Sequence, residues 1–314
     1  MRKIAPGTGS VILSRGGMGS QQLHIGVSAG VHPLRRRRVS AYRAGPGLDE
    51  ALDVCRRLAA NGLASTIGYG APPRASPRSA ADAYLAAFAR LSTEPFDCYV
   101  SVKLSSIGYD ASLLAELHAA AARAQRRLHL DALAPETAEP TWRLLEDLPD
   151  GARVSTTLPG RWQRSVEDAA RAVQRGVPVR IVKGQWPDSG DGAVDRPAEG
   201  FLRIVDRLAG HTHGVAVATH DGRLLAESLR RLGESGTPCE AELFYGLPFR
   251  APALCARRAG VPLRIYVPYG EAAGAPYRYA DLVHKPATTW WLIQDLLLGK
   301  NKTWRGIRRS RTRP

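Results

Sequence analysis

Eight short runs rich in Val, Leu, Ile and Thr recur along the chain, with helical periodicity between them. The runs are 63–67, 97–103, 127–131, 152–157, 178–183, 214–219, 238–243 and 262–267. Helical stretches fill 79–91, 111–126, 165–175, 197–209, 222–232 and 287–298. An earlier helix starts at Leu48: Leu48, Leu52, Cys55 and Leu58 share one face, and Asn61-Gly62 supplies a stop. The runs show few clean polar/apolar alternations, which suits parallel strands covered on both faces. Eight strand–helix units over about 250 residues predict an α/β fold of the (β/α)8 barrel type. A doubly wound sheet fits less well, because no glycine-rich dinucleotide fingerprint follows the first run.

The barrel is expected over 48–299, after a loosely ordered basic lead-in (1–47) and before a basic tail (300–314). The net charge is +15, and Arg35 to Arg38 with the tail "KNKTWRGIRRSRTRP" carry eleven positive charges and no acid. An excess held in a loop and a tail argues against a specific nucleic-acid partner. The tail reads first as a solubilising, poorly ordered end, with contact to phosphate, a membrane surface or an acidic partner as the alternative. The apolar stretch "TTWWLIQDLLLG" is broken by Gln294 and Asp295, so no membrane span is expected. No signal-peptide layout is present, and the expected location is cytoplasmic. The four cysteines are far apart with no CxxC, so neither a zinc site nor a disulfide framework is signalled.

In such a barrel the chemistry sits at the carboxyl ends of the strands. The second run ends in Lys103 and the third in Asp131. The fifth, "VPVRIVKGQW", buries Arg180 and ends in Lys183. The sixth ends in Thr219-His220-Asp221, the seventh leads into Glu242 and Tyr245, and the eighth carries Tyr266. An unpaired charge in a strand costs several kcal/mol, so Arg180 needs a partner. There are six lysines against 38 arginines, and two of the six fall at strand ends. The set has no metal-ligand cluster and no Ser-His-Asp or Cys-His signature. Cations with His, Thr and aromatics suit an anionic, planar ligand such as a flavin with its pyrophosphate.

These motifs resemble the proline dehydrogenase family of FAD-dependent (β/α)8 enzymes. The matching strings are "YVSVKLSSIGYD", "LHLDALAPETAEPTWRL", "VRIVKGQWP", "VAVATHDGRLL", "EAELFYGLP", "LRIYVPYG" and "HKPATTWWLIQDLL", in family order over roughly 48–299. The resemblance implies that Arg180 hydrogen-bonds the flavin near N5, and that the flavin compensates the burial of Arg180 and Lys183. It further implies that Lys183, Gly184 and Trp186 line the cofactor surface, and that Thr219 and His220, with Asp221 beside them, contact FAD. Lys103, Asp131 and Tyr266 fall at the substrate end, with Arg180 joining them as catalytic residues. Tyr245, Tyr277, Ala280 and Asp281 belong to the pocket, and no metal is implied.

The resemblance fails where the family clamps the substrate carboxylate with two adjacent arginines. Here "PYRYADLVHKP" puts Ala280 and Asp281 at those positions. Ala71 replaces a gating Glu, Glu242 stands where the family has Gln, and "STTLPGRW" lacks the family's Gln near the flavin. Joint loss of both members of an ion pair implies a rebuilt pocket. The implied activity is oxidation of a proline analogue, a proline derivative or a related cyclic amine to an imine, by hydride transfer to flavin N5. Electrons would pass on to a quinone or another acceptor. Ordinary L-proline dehydrogenase and a non-redox binding protein on the same barrel are the alternatives.

Overall fold

The computed structural model describes residues 42–131, 134–149, 153–185, 188, 196–211, 214–247 and 249–271. Strands and helices alternate from the first element. In order they are α1 (Leu48–Ala59), β1 (Ala64–Tyr69), α2 (Pro77–Leu91), β2 (Cys98–Lys103), α3 (Ala111–Arg123), β3 (Leu128–Asp131), α4 (Ala138–Glu146) and β4 (Val154–Pro159). Then come α5 (Ser165–Arg175), β5 (Val179–Val182), α6 (Pro197–Leu208), β6 (Val215–Ala218), α7 (Gly222–Glu234), β7 (Cys239–Phe244), α8 (Arg250–Arg258) and β8 (Leu263–Tyr269). Each strand pairs in parallel with the next, and β8 closes on β1 from Ala64↔Arg264 to Tyr69↔Tyr269, giving the expected eight-stranded closed barrel. The sequence reading did not name α4 and α8. Each has a proline, Pro140 or Pro252, which breaks a helical pattern on paper. Both prolines sit in the first turn, where a backbone N–H has no intrahelical acceptor to lose.

One expectation is overturned: the strands do alternate. Val100, Val102, Leu128, Leu130, Ile181, Val217, Leu243, Ile265 and Val267 are buried in the hydrophobic core. Their neighbours Tyr99, Ser101, His129, Ser155, Thr157, Arg180, Glu242 and Arg264 are buried too, but they form polar contacts inside the barrel: His129 with Ser155 and Thr157 on the next strand, Arg180 with Ser101 and Glu242, Tyr99 with Glu242, and Arg264 with Ser65 O on β1. The apolar set packs outward onto the helices, at roughly 1.5–3 kcal/mol for each large side chain buried. The alternation was missed because the polar positions are interrupted by Val182, Ala216 and Ala218.

Side-chain caps fix several helix starts: Ser76 accepts from Ser79 N–H at 3.2 Å, and Asp110 from Leu113 N–H at 2.9 Å. At the carboxyl rim the chain enters alongside β8. Ala44 N–H donates to Pro268 O at 2.8 Å, Gly270 N–H donates to Gly45 O at 3.0 Å, and Arg43 Nη1 donates to Gly270 O at 3.0 Å. Residues 43–45 of the expected lead-in are therefore part of the barrel rim. Arg35 to Arg38, helix 287–298 and the 300–314 tail lie outside the described residues. All four cysteines are free thiols. Among the described residues no helix is long and apolar enough to cross a membrane, and no cluster of His, Cys, Asp and Glu is placed to hold a metal.

Candidate active site at the carboxyl end of the barrel

Arg180 projects from β5 into the barrel and is 4% exposed. Its Nε donates to Glu242 Oε2 at 2.8 Å and its Nη2 to Glu242 Oε1 at 2.9 Å, a bidentate fork onto β7 across the axis. Tyr99 Oη donates to Glu242 Oε2 at 3.3 Å, and Arg180 Nη1 lies 3.4 Å from Ser101 Oγ and 3.8 Å from Asp131 Oδ1. The guanidinium also rests 5.3 Å over the ring of Tyr266. Burial opposes its charge, but Glu242, Tyr99 and Asp131 more than offset this and hold its pKa above the ordinary arginine value. The partner of Arg180 is thus the protein's own Glu242, which corrects the reading that a flavin compensates its burial. Sequence reasoning placed Glu242 among the polar residues of the seventh strand and as a departure from Gln, but did not pair it with Arg180.

Asp131 ends β3 at the mouth, level with Lys103 on β2, and accepts from Thr157 Oγ1 at 3.2 Å. Lys103 is half-buried. Its backbone N–H donates to Tyr84 Oη at 3.2 Å and its carbonyl accepts from Ser106 Oγ at 2.6 Å, which fixes the strand end. No ion pair engages its ammonium among the described residues. Tyr266 stacks on Phe244 with centroids 5.4 Å apart, and its phenol pKa is raised by burial and then by Asp131. A Cβ on Gly68 would lie 2.0 Å from Tyr266 Oη, so β1 keeps a glycine to admit that ring. Lys103, Asp131, Arg180 and Tyr266 therefore share one end of the barrel interior, and Tyr245 follows β7 with its N–H donating to Tyr266 O at 2.9 Å.

The rim over β4 to β6 holds the second group. Lys183 Nζ donates to Asp221 Oδ2 at 2.9 Å. Asp221 Oδ1 caps α7 by accepting from Arg223 N–H at 3.1 Å and Leu224 N–H at 3.2 Å. Burial disfavours the Asp221 carboxylate, but Lys183 and the helix-end amides outweigh it and lower its pKa. Both oxygens of Asp221 are thus engaged by the protein. Thr219 Oγ1 accepts from Asp221 N–H at 3.2 Å, and His220 Nε2 accepts from Phe244 N–H at 2.8 Å. That second bond fixes His220 Nε2 as unprotonated. Gly184 follows β5 with φ +89, and a Cβ there would lie 2.9 Å from Pro159 Cβ and 3.4 Å from Arg161 Cβ. Beside it the buried Nε of Arg161 has no hydrogen-bond partner. An orphaned guanidinium N–H, a lysine and a bare glycine backbone on adjoining strand ends suit an anionic group with a flat face. Trp186, Tyr277, Ala280 and Asp281 lie outside the described residues.

Sequence reasoning did not pick out the network below the mouth. His129, fully buried on β3, has Nδ1 2.8 Å from Ser155 Oγ and Nε2 2.8 Å from Thr157 Oγ1. Burial, then Arg180 and Arg127, push its pKa well below the usual histidine value, so the ring is neutral. Nearer the floor, Arg264 Nε donates to Glu240 Oε1 at 2.8 Å, and its Nη2 donates to Asp97 Oδ2 at 2.6 Å. A cavity of about 190 Å³ opens at this amino-terminal end, lined among others by Tyr99, Arg127, His129, Ser155, Arg180 and Glu240. The available signal was polar residues at every second strand position, as in Tyr99-Ser101-Lys103, His129-Asp131 and Glu240-Glu242.

No family model matches the chain. Proline dehydrogenase 1 of Bacillus subtilis strain 168 is 25% identical over 282 residues, covering 83% of this chain and 91% of that protein. The protein of the same name from Bacillus subtilis subsp. natto matches equally. Among solved structures, proline utilization A (PutA) from Bdellovibrio bacteriovorus, inactivated by N-propargylglycine, superposes with a TM-score of 0.64 at 19% identity over 85% of this chain. A bifunctional proline utilization A protein gives 0.60 at 17% identity over 89%. This chain spans 33% and 35% of those longer chains. The barrel is the fold of those solved domains, and the chain is a homologue of proline dehydrogenase.

Proposed function

We propose that this proline dehydrogenase homologue is a flavin-dependent dehydrogenase acting on a proline analogue, a proline derivative or a related cyclic amine, which it oxidises to an imine. The observation that carries the reading is the charge balance at the mouth. Glu242 neutralises Arg180 with a two-point fork. Asp131, 3.8 Å from that guanidinium, stands at the strand end level with Lys103 and close to Tyr266. An acid and an aromatic face favour a cationic ring nitrogen, while Arg180 is not free to grip a substrate carboxylate. Ala280 and Asp281, in place of an arginine pair, fit the same preference.

FAD would lie over the ends of β4 to β6. There Arg161, Lys183, Gly184, Thr219 and His220 supply cations, donors and a close backbone approach. The flavin, when bound, supplies the hydride acceptor. The chain's own residues orient the ring: Asp131 takes the nitrogen, Tyr266 packs on the apolar edge, and Lys103 faces the anionic part of cofactor or substrate. Arg180 sets the field under the site from below, as one half of a neutral pair.

The test is a visible spectrum of the purified full chain, followed by anaerobic mixing with a panel of cyclic amines. A flavin spectrum that bleaches faster with a carboxyl-masked analogue than with proline is the expected result. A protein that binds no flavin on titration overturns the reading, as does a bound flavin that no amine reduces. Faster bleaching by L-proline would favour ordinary proline dehydrogenase. The likeness to proline dehydrogenase 1 over 91% of that protein's length supports this second reading.

A further inference from the structure

We infer that the barrel interior carries a proton relay, Asp131–Thr157–His129–Ser155, that takes the amine proton from the mouth through the barrel to the cavity on the opposite face. The inference rests on the amine-oxidation reading above for the source of the proton. Removing a hydride from the carbon of a CH–NH2⁺ group leaves C=NH⁺ only if the nitrogen also gives up one proton. The C–H electron pair goes to the flavin, the nitrogen lone pair closes the double bond, and the N–H proton goes to Asp131. A cofactor and substrate bound at the mouth would cover Asp131 from above. Its way out is downward.

The chain of atoms for that route is continuous. Asp131 Oδ1 is 3.2 Å from Thr157 Oγ1, which is 2.8 Å from His129 Nε2, and His129 Nδ1 is 2.8 Å from Ser155 Oγ. Ser155 and His129 line the floor cavity of about 190 Å³, which is large enough for a few waters at roughly 30 Å³ each. Every member between Asp131 and the cavity can both give and take a hydrogen. Protonated Asp131 donates to Thr157, Thr157 passes its own proton to Nε2, Nδ1–H passes to Ser155, and Ser155 passes its proton to water. One proton enters and one leaves, with no net charge left on the ring. Rotation of the two hydroxyls and a flip of the imidazole reset the chain.

The surroundings suit passage of a proton better than its storage. His129 is faced by Tyr99 from β2, with ring centroids 6.0 Å apart, by Arg180 from β5, and by Arg127 ahead of its own strand. The two cations disfavour a charged imidazolium. Asp131 is faced by Arg180 at 3.8 Å, by Lys103 beside it in register and by Tyr266, so its charge is balanced at rest.

Two experiments test the relay, and they fail separately from the amine-oxidation reading. The first mixes the flavin-loaded full chain anaerobically with a reducing amine and a pH-indicator dye. In the native protein, dye response and flavin bleaching should share one rate. Thr157→Val should bleach its flavin once but release the proton at least tenfold more slowly, and Thr157→Ser should restore the match. Ser155→Ala should lag like Thr157→Val. Proton release in step with bleaching in Thr157→Val overturns the relay. The second uses ¹⁵N NMR of His129 in the unliganded chain. Ionised Asp131 should hold the Nε2–H tautomer and protonated Asp131 the Nδ1–H tautomer. The two nitrogen signals should therefore exchange character across a single titration that is missing in Asp131→Asn and Thr157→Val. Signals that ignore Asp131 overturn the relay even if no amine is ever found to reduce the protein.

Discussion

The two faces of the same eight strands do different work. Outward, Val100, Leu130, Ile181, Val217 and Ile265 meet the helices in a dry apolar layer. Inward, where a barrel is commonly filled by branched apolar side chains, this one holds Arg180, Glu242, Tyr99, His129 and Arg264. Apolar contacts tolerate exchange of one shape for another of similar volume. A buried charge tolerates no loss of its particular partner. The comparison teaches that the outer face specifies a barrel while the inner face specifies which residues meet at its mouth. Substitutions on each face should therefore differ in kind as well as in size.

The largest expected effect is on the inner face. Glu242→Ala strands Arg180 beneath the mouth and should cost about 3–5 kcal/mol of unfolding free energy, read from urea denaturation. The double replacement Arg180→Met with Glu242→Leu should regain most of that stability while losing flavin affinity or reduction rate. If Glu242→Ala alone is as stable as the native chain, the fork contributes little and the contrast between the faces collapses. On the outer face, Leu130→Ala should cost about 2–5 kcal/mol through lost burial and a residual cavity. It should leave the order of preferred substrates unchanged, whereas a shift in that order would show the outer layer steering the mouth.

This division also explains what the sequence discloses. All eight strands were legible within a few residues, because apolar runs separated by helical periods reflect burial on the outer face. The polar residues at the strand ends were legible for the same reason: a strand has only two ends, and the carboxyl one faces the mouth. What joins β5 to β7 was not legible. Arg180 and Glu242 are 62 residues apart, and only barrel closure sets them opposite each other. His129 was not singled out, because its partners Ser155 and Thr157 are small hydroxyl residues on another strand. The reading by resemblance gave the counter-charge of Arg180 to a flavin, and Glu242 supplies one from within the chain.

A smaller effect tests the fit between the faces at β1. Gly68 lies where a side chain would enter the barrel, and its added Cβ would meet Tyr266 Oη. Gly68→Ala should cost about 1–3 kcal/mol by overpacking and should displace Tyr266 from its stack on Phe244. Gly68→Ala combined with Tyr266→Phe should recover only part of the loss, since the added Cβ would also lie 2.6 Å from Cζ of the ring. Full recovery would show that the inner face is limited by the hydroxyl alone, whereas partial recovery means that the ring itself is too close.

The smallest effect is a matter of pH. The folded His129 pKa lies well below its ordinary value of 6.5, through burial and then the nearby Arg180 and Arg127. The unfolded chain takes up a proton on this histidine below about pH 6.5 and the folded chain does not. The unfolded state therefore binds more protons there, and stability falls as the pH drops below that point, with a limiting slope of about 1.4 kcal/mol per pH unit for one proton. Above pH 7 the histidine contributes no pH dependence. His129→Gln, which keeps hydrogen-bonding atoms but cannot ionise, should show a shallower loss between pH 6.5 and 5 while matching the native slope above pH 7. Acidic groups elsewhere titrate in both proteins, so the difference between the two curves isolates this one ring. Parallel curves would mean that His129 is charged in the folded barrel, and the neutral ring that separates the inner network from an ordinary ion-pair cluster would be lost.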